Sequence, residues 1–440
     1  MVPDRRAGNV GSGSVGVPAV PEPAEKRRGT FLKKLMILLL PMLLVAAVLI
    51  GTDKKPDTAE VIENPILRVA AETELASPKD VVVKTRAERL LDSMSLEEKV
   101  GQMFMVPPEE MDQEYRGTKY NGKKVQGTVQ MSNSLKENLH KFTPGGIILF
   151  SYNIIDPEQT TALLQDLQKE SKIPLMIAVD EEGGLVARIS GKSSFGIPDL
   201  PDADEVVDET EAFSRGNYIG SYMNKYGFNT NLAPVADVNS NPRNRVIGSR
   251  AFGKDPSMVG SLVVSEIKGL QGTKTITTAK HFPGHGDTNG DTHHSTVYVT
   301  KTWKELLEGE IIPFQMAVDA GVDMIMVAHI SAENVTTDGL PASLSYEMIT
   351  EKLRNEMGFD GVVITDSMEM GAIADYYTPA EAAILAVTAG NDIVLMPDDF
   401  EEAYIGLLDA VRTGKIPETR INESVLRILE LKDRYGLLPE

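Results

Sequence analysis

From about residue 100 onward, short apolar runs alternate with longer stretches that place apolar residues at helical spacing. The runs fall at 102–106, 146–150, 175–179, 230–233, 277–281, 323–328, 361–365 and 392–396. Strands separated by helices in this way are the signature of βα units and a parallel sheet. Eight of them predict an α/β fold with a single (β/α)8 TIM-type barrel, closed by a helical tail over 401–436. A helix is expected at 87–99, with Ser95 before Leu96, Glu97 and Glu98 in a capping-box pattern. A long loop over 107–141, carrying Tyr115 and Tyr120, reads as a lid, a substrate wall or an idle insertion.

The first eighty residues follow other patterns. Residues 35–50, LMILLLPMLLVAAVLI, are uninterruptedly apolar and follow Lys26, Arg27, Arg28, Lys33 and Lys34. A basic flank before an apolar core directs the N-terminus to the cytoplasm. The run spans roughly 24 Å at about 1.5 Å per residue, and Phe31, Leu32 and Thr52 extend it. No small-x-small cleavage site precedes Lys54 and Lys55, so an uncleaved transmembrane anchor is expected over 31–52, a cleaved signal peptide being the alternative. Residues 1–30 read as a disordered cytoplasmic tail, 53–84 as a linker, and 85–440 as a folded domain outside the cytoplasm.

Composition narrows the function. The chain of 440 residues carries a formal net charge of −20, which disfavours nucleic acid as a partner. It has no cysteine, which removes disulfides, thiolate metal sites, Cys nucleophiles and an acylated cysteine anchor.

Polar residues stand where the apolar runs end: Asp180, Lys280, His281, His329 and Asp366. Alone, each is as well read as a helix cap or a solvated loop residue. Together, at the carboxyl ends of parallel strands, they point to a site. The densest stretch is KHFPGHGDTNGDTHHS, 280–295, with four of the six histidines of the chain beyond His140 and His329 and a loop loosened by three glycines. Its histidines and carboxylates could ligate zinc, but Pro283 and Gly284 deny His281 and His285 a common helical face, so no metal and no cofactor are expected. Asp291 and His293, at i and i+2 in an extended segment, can instead hydrogen-bond, the carboxylate fixing the imidazole tautomer and supporting its cation. In GVVITDSMEMGAI, 361–373, an apolar run aims Asp366 from a strand end, with Met368 and Met370 expected beside it. In AVDEEGGLVARI, 178–189, Asp180 and Arg188 can bind sugar-like hydroxyls, and Gly183 and Gly184 would let backbone approach a ligand. Arg250, in NRVIGSRAFGKDP, is a further binding candidate.

These blocks, with PASLS at 341–345, resemble glycoside hydrolase family 3, and within it the β-N-acetylhexosaminidase branch, over roughly 85–437. The resemblance implies a retaining mechanism with Asp366 as nucleophile and His293, paired with Asp291, as acid/base. It implies substrate contacts from Asp180, Arg188, Arg250, Lys280 and His281. The chain departs from the family at Glu181, where Gln is common, and at Thr292, where Ser is common; the expected consequence is pocket tuning. His294 beside His293 is set apart by the Asp-x-His spacing. The expected substrate is a glycan bearing terminal β-linked N-acetylglucosamine, such as a cell-wall fragment, and the expected domain is monomeric. The alternatives are a β-glucosidase or glycosyl phosphorylase on the same barrel, and a wall-binding module without activity.

Overall fold

In the computed structural model, residues 84–116, 118–288 and 297–439 are described. The expected tail, anchor and nearly all of the linker lie outside them, as do Asp291, Thr292, His293 and His294. Among the described residues no helix is long and apolar enough to cross a membrane.

A strand falls at every expected apolar run, within it except that β5 extends one residue beyond: β1 Phe104–Val106, β2 Gly146–Ile148, β3 Met176–Val179, β4 Thr230–Asn231, β5 Thr278–Phe282, β6 Met324–Val327, β7 Val362–Thr365 and β8 Val394–Leu395. Strands β8, β1, β2, β3 and β4 form one parallel sheet in that order, and β7, β6 and β5 form another. Isolated parallel bridges join Thr230 to Ile276, Val235 to Lys280 and Ile364 to Ile393.

Alternation along each strand sorts side chains to two faces. Met105, Met176, Ala178, Met324, Met326, Val362 and Ile364 pack into one cluster drawn from both sheets. Their neighbours Phe104, Val106, Ile177 and Val179 face a second cluster, and Ile325, Val327 and Val363 a third, where the helices cover the sheets. Both faces are therefore apolar, as a parallel sheet requires.

The expected helix at 87–99 is two helices, Arg86–Ser93 and Leu96–Gln102. Thr85 and Ser95 each close a capping box, with Glu88 and Glu98, and Met94 between them is extended. Ser95 starts a helix of its own because its hydroxyl takes the Glu98 N–H. The expected loop at 107–141 is also shorter, since Asn133–Phe142 is helical and Lys119–Tyr120 pairs with Lys123–Lys124 as a hairpin. The tail is two helices, Phe400–Arg412 and Glu418–Arg434.

At the amino ends of the strands, buried carboxylates tie the frame together. Asp323 accepts from the Thr277 N–H and hydroxyl, the Tyr435 hydroxyl and Arg434. Asp392 accepts from Arg354, Ser424, Arg427 and the Val363 N–H. Burial opposes the ionisation of Asp392, but three arginines outweigh it and hold its carboxyl below the ordinary range.

Candidate active site

The carboxyl ends of the strands surround a cavity of about 260 Å³. Six of the expected residues line it: Asp180, Arg188, Arg250, Lys280, His281 and Asp366. The other two, Asp291 and His293, lie outside the described residues. The chain before them is fixed close by, since His285 lines the cavity and Thr288 bonds it through Oγ1 to Nδ1 at 2.8 Å.

One wall is a charged clamp. Lys280, almost completely buried, places Nζ 2.8 Å from Asp180 Oδ1 and 2.7 Å from Glu182 Oε1. Arg250 grips Glu182 in a two-pronged bond, Nε to Oε2 and Nη2 to Oε1, each at 2.8 Å. Arg188 approaches Asp180 at 3.8 Å and lies over the Phe150 ring. Burial works against each charge, but the partners prevail: Glu182 is held far below the usual carboxylate range, and Arg250 and Lys280 are raised.

The loop that delivers Arg188 is bent by Glu181. Fully buried, its carboxylate accepts the N–H groups of Arg188, Ile189 and Ser190 at 2.6, 3.0 and 2.8 Å, and the Tyr222 hydroxyl at 2.7 Å. Gly183 and Gly184, expected to admit a ligand, also shape this loop. Both have positive φ, and a Cβ would stand 2.6 Å from the Arg215 Nη2 and 2.0 Å from the Asp202 Oδ1.

Asp366 follows the last residue of β7 and takes the Ser367 N–H at 2.8 Å. Burial opposes its charge, but His281, His329, that N–H and Lys280 together lower its pKa below the ordinary range. His329 bonds the Ser367 carbonyl through Nε2 at 2.8 Å, and Ser343 through Nδ1 at 2.7 Å. Ser343 of the PASLS segment thereby orients the imidazole that helps hold Asp366 ionised. Met370 lines the cavity, whereas Met368 packs into the core behind it.

His281 is oriented in the same manner. Its Nδ1 donates to the buried Asp237 Oδ2 at 2.7 Å, leaving Nε2 toward Arg250 at 3.4 Å. Asp237 also takes the His285 N–H at 2.6 Å. Burial drives His285 below the ordinary histidine pKa, with Asp237 pulling the other way.

Sequence reasoning did not single out Glu182, Asp237, Phe150 or Glu369, which line or support the cavity. Glu182 stands two residues after Asp180 in the same motif, so its side chain could have been read onto the same wall. Asp237 follows the apolar segment 232–236, but the expected strand ended at 233.

The glycosyl hydrolase family 3 N-terminal domain matches residues 95–431, and the chain belongs to that family. It is 34% identical to β-hexosaminidase A of Pseudoalteromonas piscicida over 333 residues, 68% of this chain and 55% of that protein. To a β-hexosaminidase of Nitrosomonas eutropha it is 30% identical over 302 residues, 66% of this chain and 85% of that one. Among solved structures, a family 3 β-N-acetylglucosaminidase from Paenibacillus sp. str. FPU-7 is similar with a TM-score of 0.71 and 35% identity, covering 78% of this chain and 63% of that chain. The chain thus spans only 55% of the Pseudoalteromonas protein and 63% of the Paenibacillus chain.

Proposed function

We propose that this protein is a retaining β-N-acetylhexosaminidase acting through a covalent glycosyl–Asp366 intermediate. The observation that carries the reading is Asp366 itself, aimed from a strand end into the cavity and kept ionised by its neighbours. Similarity to proteins named β-hexosaminidase and β-N-acetylglucosaminidase supports the sugar class.

In the first step an Asp366 oxygen bonds to the anomeric carbon while the glycosidic C–O bond breaks, and His293 gives its proton to the departing oxygen. In the second, water attacks the same carbon, His293 takes its proton and Asp366 leaves. Glu182 is unsuited to the acid role, because Lys280 and Arg250 hold it ionised. An imidazole with an unperturbed pKa near 6.5 can serve as acid and then base close to neutrality. Asp180, Lys280, Arg250, Arg188 and His281 bind the hydroxyls and amide of the sugar. In this reading the two parallel sheets close into a (β/α)8 barrel through the bridges at Ile276, Lys280 and Ile393, which support closure on both seams. The segment 31–52 anchors a monomeric catalytic domain outside the membrane, where fragments of cell wall carrying terminal N-acetylglucosamine are the natural substrates.

A 5-fluoro sugar inactivator of the N-acetylglucosamine series should label the peptide containing Asp366, read by mass spectrometry. A label on another carboxylate sinks the nucleophile assignment. Parallel assays on β-N-acetylglucosaminides and β-glucosides, with and without phosphate, decide the substrate and the acceptor.

A further inference from the structure

One short stretch runs against the charge of the molecule. The chain carries 64 acidic and 44 basic residues, yet residues 116–124, RGTKYNGKK, hold Arg116, Lys119, Lys123 and Lys124 and no carboxylate. All four are exposed, and none forms an ion pair among the described residues. The local fold fixes them in place. Lys119–Tyr120 and Lys123–Lys124 pair across a two-residue turn whose Asn121 and Gly122 both have positive φ, the conformation that suits a tight hairpin. The Val125 N–H bonds the Thr118 carbonyl and carries the pairing one step further. Beside the hairpin, Tyr115, Arg116, Lys124, Val125 and Gln126 line an open cleft of about 580 Å³, so cations from both arms reach one space.

The register sets Lys119 directly opposite Lys124, on one face, and Tyr120 opposite Lys123 on the other. Like charges facing each other across a ladder repel, and the carboxylates nearby are engaged elsewhere. Asp112 takes the hydroxyls of Thr128, Ser132 and Ser134, and Glu114 takes the Ser134 N–H. Asp156 takes the Tyr120 hydroxyl, on the face away from Lys119 and Lys124, while it caps the helix Pro157–Glu170. Lysines do guard exposed strand edges against pairing with another chain. That role calls for neither Arg116 nor a cleft that Arg116 shares with Lys124.

We propose that the hairpin is a docking surface for an extended anionic polymer, whose phosphate or carboxylate groups lie between Lys119, Lys124 and Arg116. Its place in the fold favours a polymer over a lipid surface. The bond from Tyr120 to Asp156 holds the hairpin among the loops that follow β1 and β2, at the end where the active-site cavity opens. Arg86 instead bonds the Leu438 carbonyl and Asp433, beside Arg434 and Tyr435 at the amino ends of the strands. A domain tethered to a membrane through the segment before Arg86 thus carries the hairpin at its far end. Docking of this kind is independent of which sugar the cavity accepts.

The test titrates full-length protein at several salt concentrations with labelled polyphosphate and, separately, with labelled polygalacturonate. The parent should bind at least one of them, with log K falling linearly as log salt rises. Lys119→Gln, Lys123→Gln and Lys124→Gln together should flatten that slope by roughly 2, at about 0.7 per contact removed. Lys254→Gln, Lys268→Gln and Lys304→Gln together remove the same charge from exposed sites elsewhere and should leave the slope as it was. Lys119→Arg, Lys123→Arg and Lys124→Arg together keep the charge of the hairpin and should keep the slope. Binding of polyphosphate alone assigns a phosphate partner, and of polygalacturonate alone a carboxylate. A parent that binds neither polymer, or a slope flattened equally by the two glutamine triples, overturns the docking surface. Binding that depends on the three hairpin lysines only with phosphatidylglycerol vesicles overturns it as well.

Discussion

At the scale of single residues, the clamp shows how much depends on which charges are paired. Lys280 is buried and Arg250 largely so, and among the described residues Glu182 is the carboxylate paired with both. Replacing it by Gln keeps the shape and leaves two buried cations short of a partner. Glu182→Gln should therefore lose about 3–5 kcal/mol of stability, read by urea denaturation at pH 7. Because the folded pKa of Glu182 is depressed, its contribution is present above the unfolded carboxylate pKa and fades as pH falls through the folded one. The gap between parent and variant should thus shrink on acidification below about pH 4. A variant as stable as the parent at pH 7 would show that the cations find other partners. The sequence made half of this legible. Asp180, Lys280, His281 and Asp366 could be read because each ends or nearly ends an apolar run. Glu182 and Asp237 could not be ranked, because which carboxylate meets which cation depends on loop paths such as the one Glu181 bends.

At the scale of elements, the strands were legible from continuous apolar runs, whereas helix ends turned on single hydroxyls such as that of Ser95. Helix contact was not legible at all. The helices Glu209–Tyr226 and Pro256–Gly272 meet through glycines: a Cβ on Gly216 would lie 2.3 Å from the Glu266 carbonyl oxygen, and one on Gly269 2.2 Å from that of Phe213. Within this contact Glu266 is completely enclosed, and burial raises its pKa to about 7 although Arg215 stands 3.3 Å away. The proximity alone would suggest a strong ion pair. The two facing atoms form no hydrogen bond, which favours the view that desolvation prevails. With the folded pKa above the unfolded one, stability falls as pH rises from about 4.5 to 7 and is then level with respect to this group. Glu266→Gln removes that slope. Denaturation midpoints at pH 5 and pH 8 should differ less in the variant than in the parent; an identical difference in both would refute the assignment.

At the scale of the whole molecule, one buried contact spans nearly the length of the described chain. Lys432, fully buried on the last helix, donates to Gln102 Oε1 at 2.7 Å, and Gln102 in turn donates to the carbonyls of Thr143 and Pro144. Desolvation lowers the pKa of Lys432 to about 7. Below that pH the native state holds a buried charge whose partner is the neutral Gln102, with no carboxylate paired to it among the described residues. Between about 7 and 10.5 only the unfolded chain is protonated there, so stability rises with pH. Lys432→Met should consequently gain more stability over the parent at pH 6 than at pH 10, by thermal or chemical denaturation. An equal difference at both values would mean that the lysine stays charged throughout.

The buried carboxylates Asp323 and Asp392 gather their partners before strands β6 and β8, whereas Asp180 and Asp366 act after β3 and β7. That fastening and the groups proposed to contact substrate are consequently written into different stretches of the gene. Mutational libraries confined to the loops after the strands leave that fastening intact, although Glu182, Lys280 and Arg250 stand at that same end and hold the fold as well.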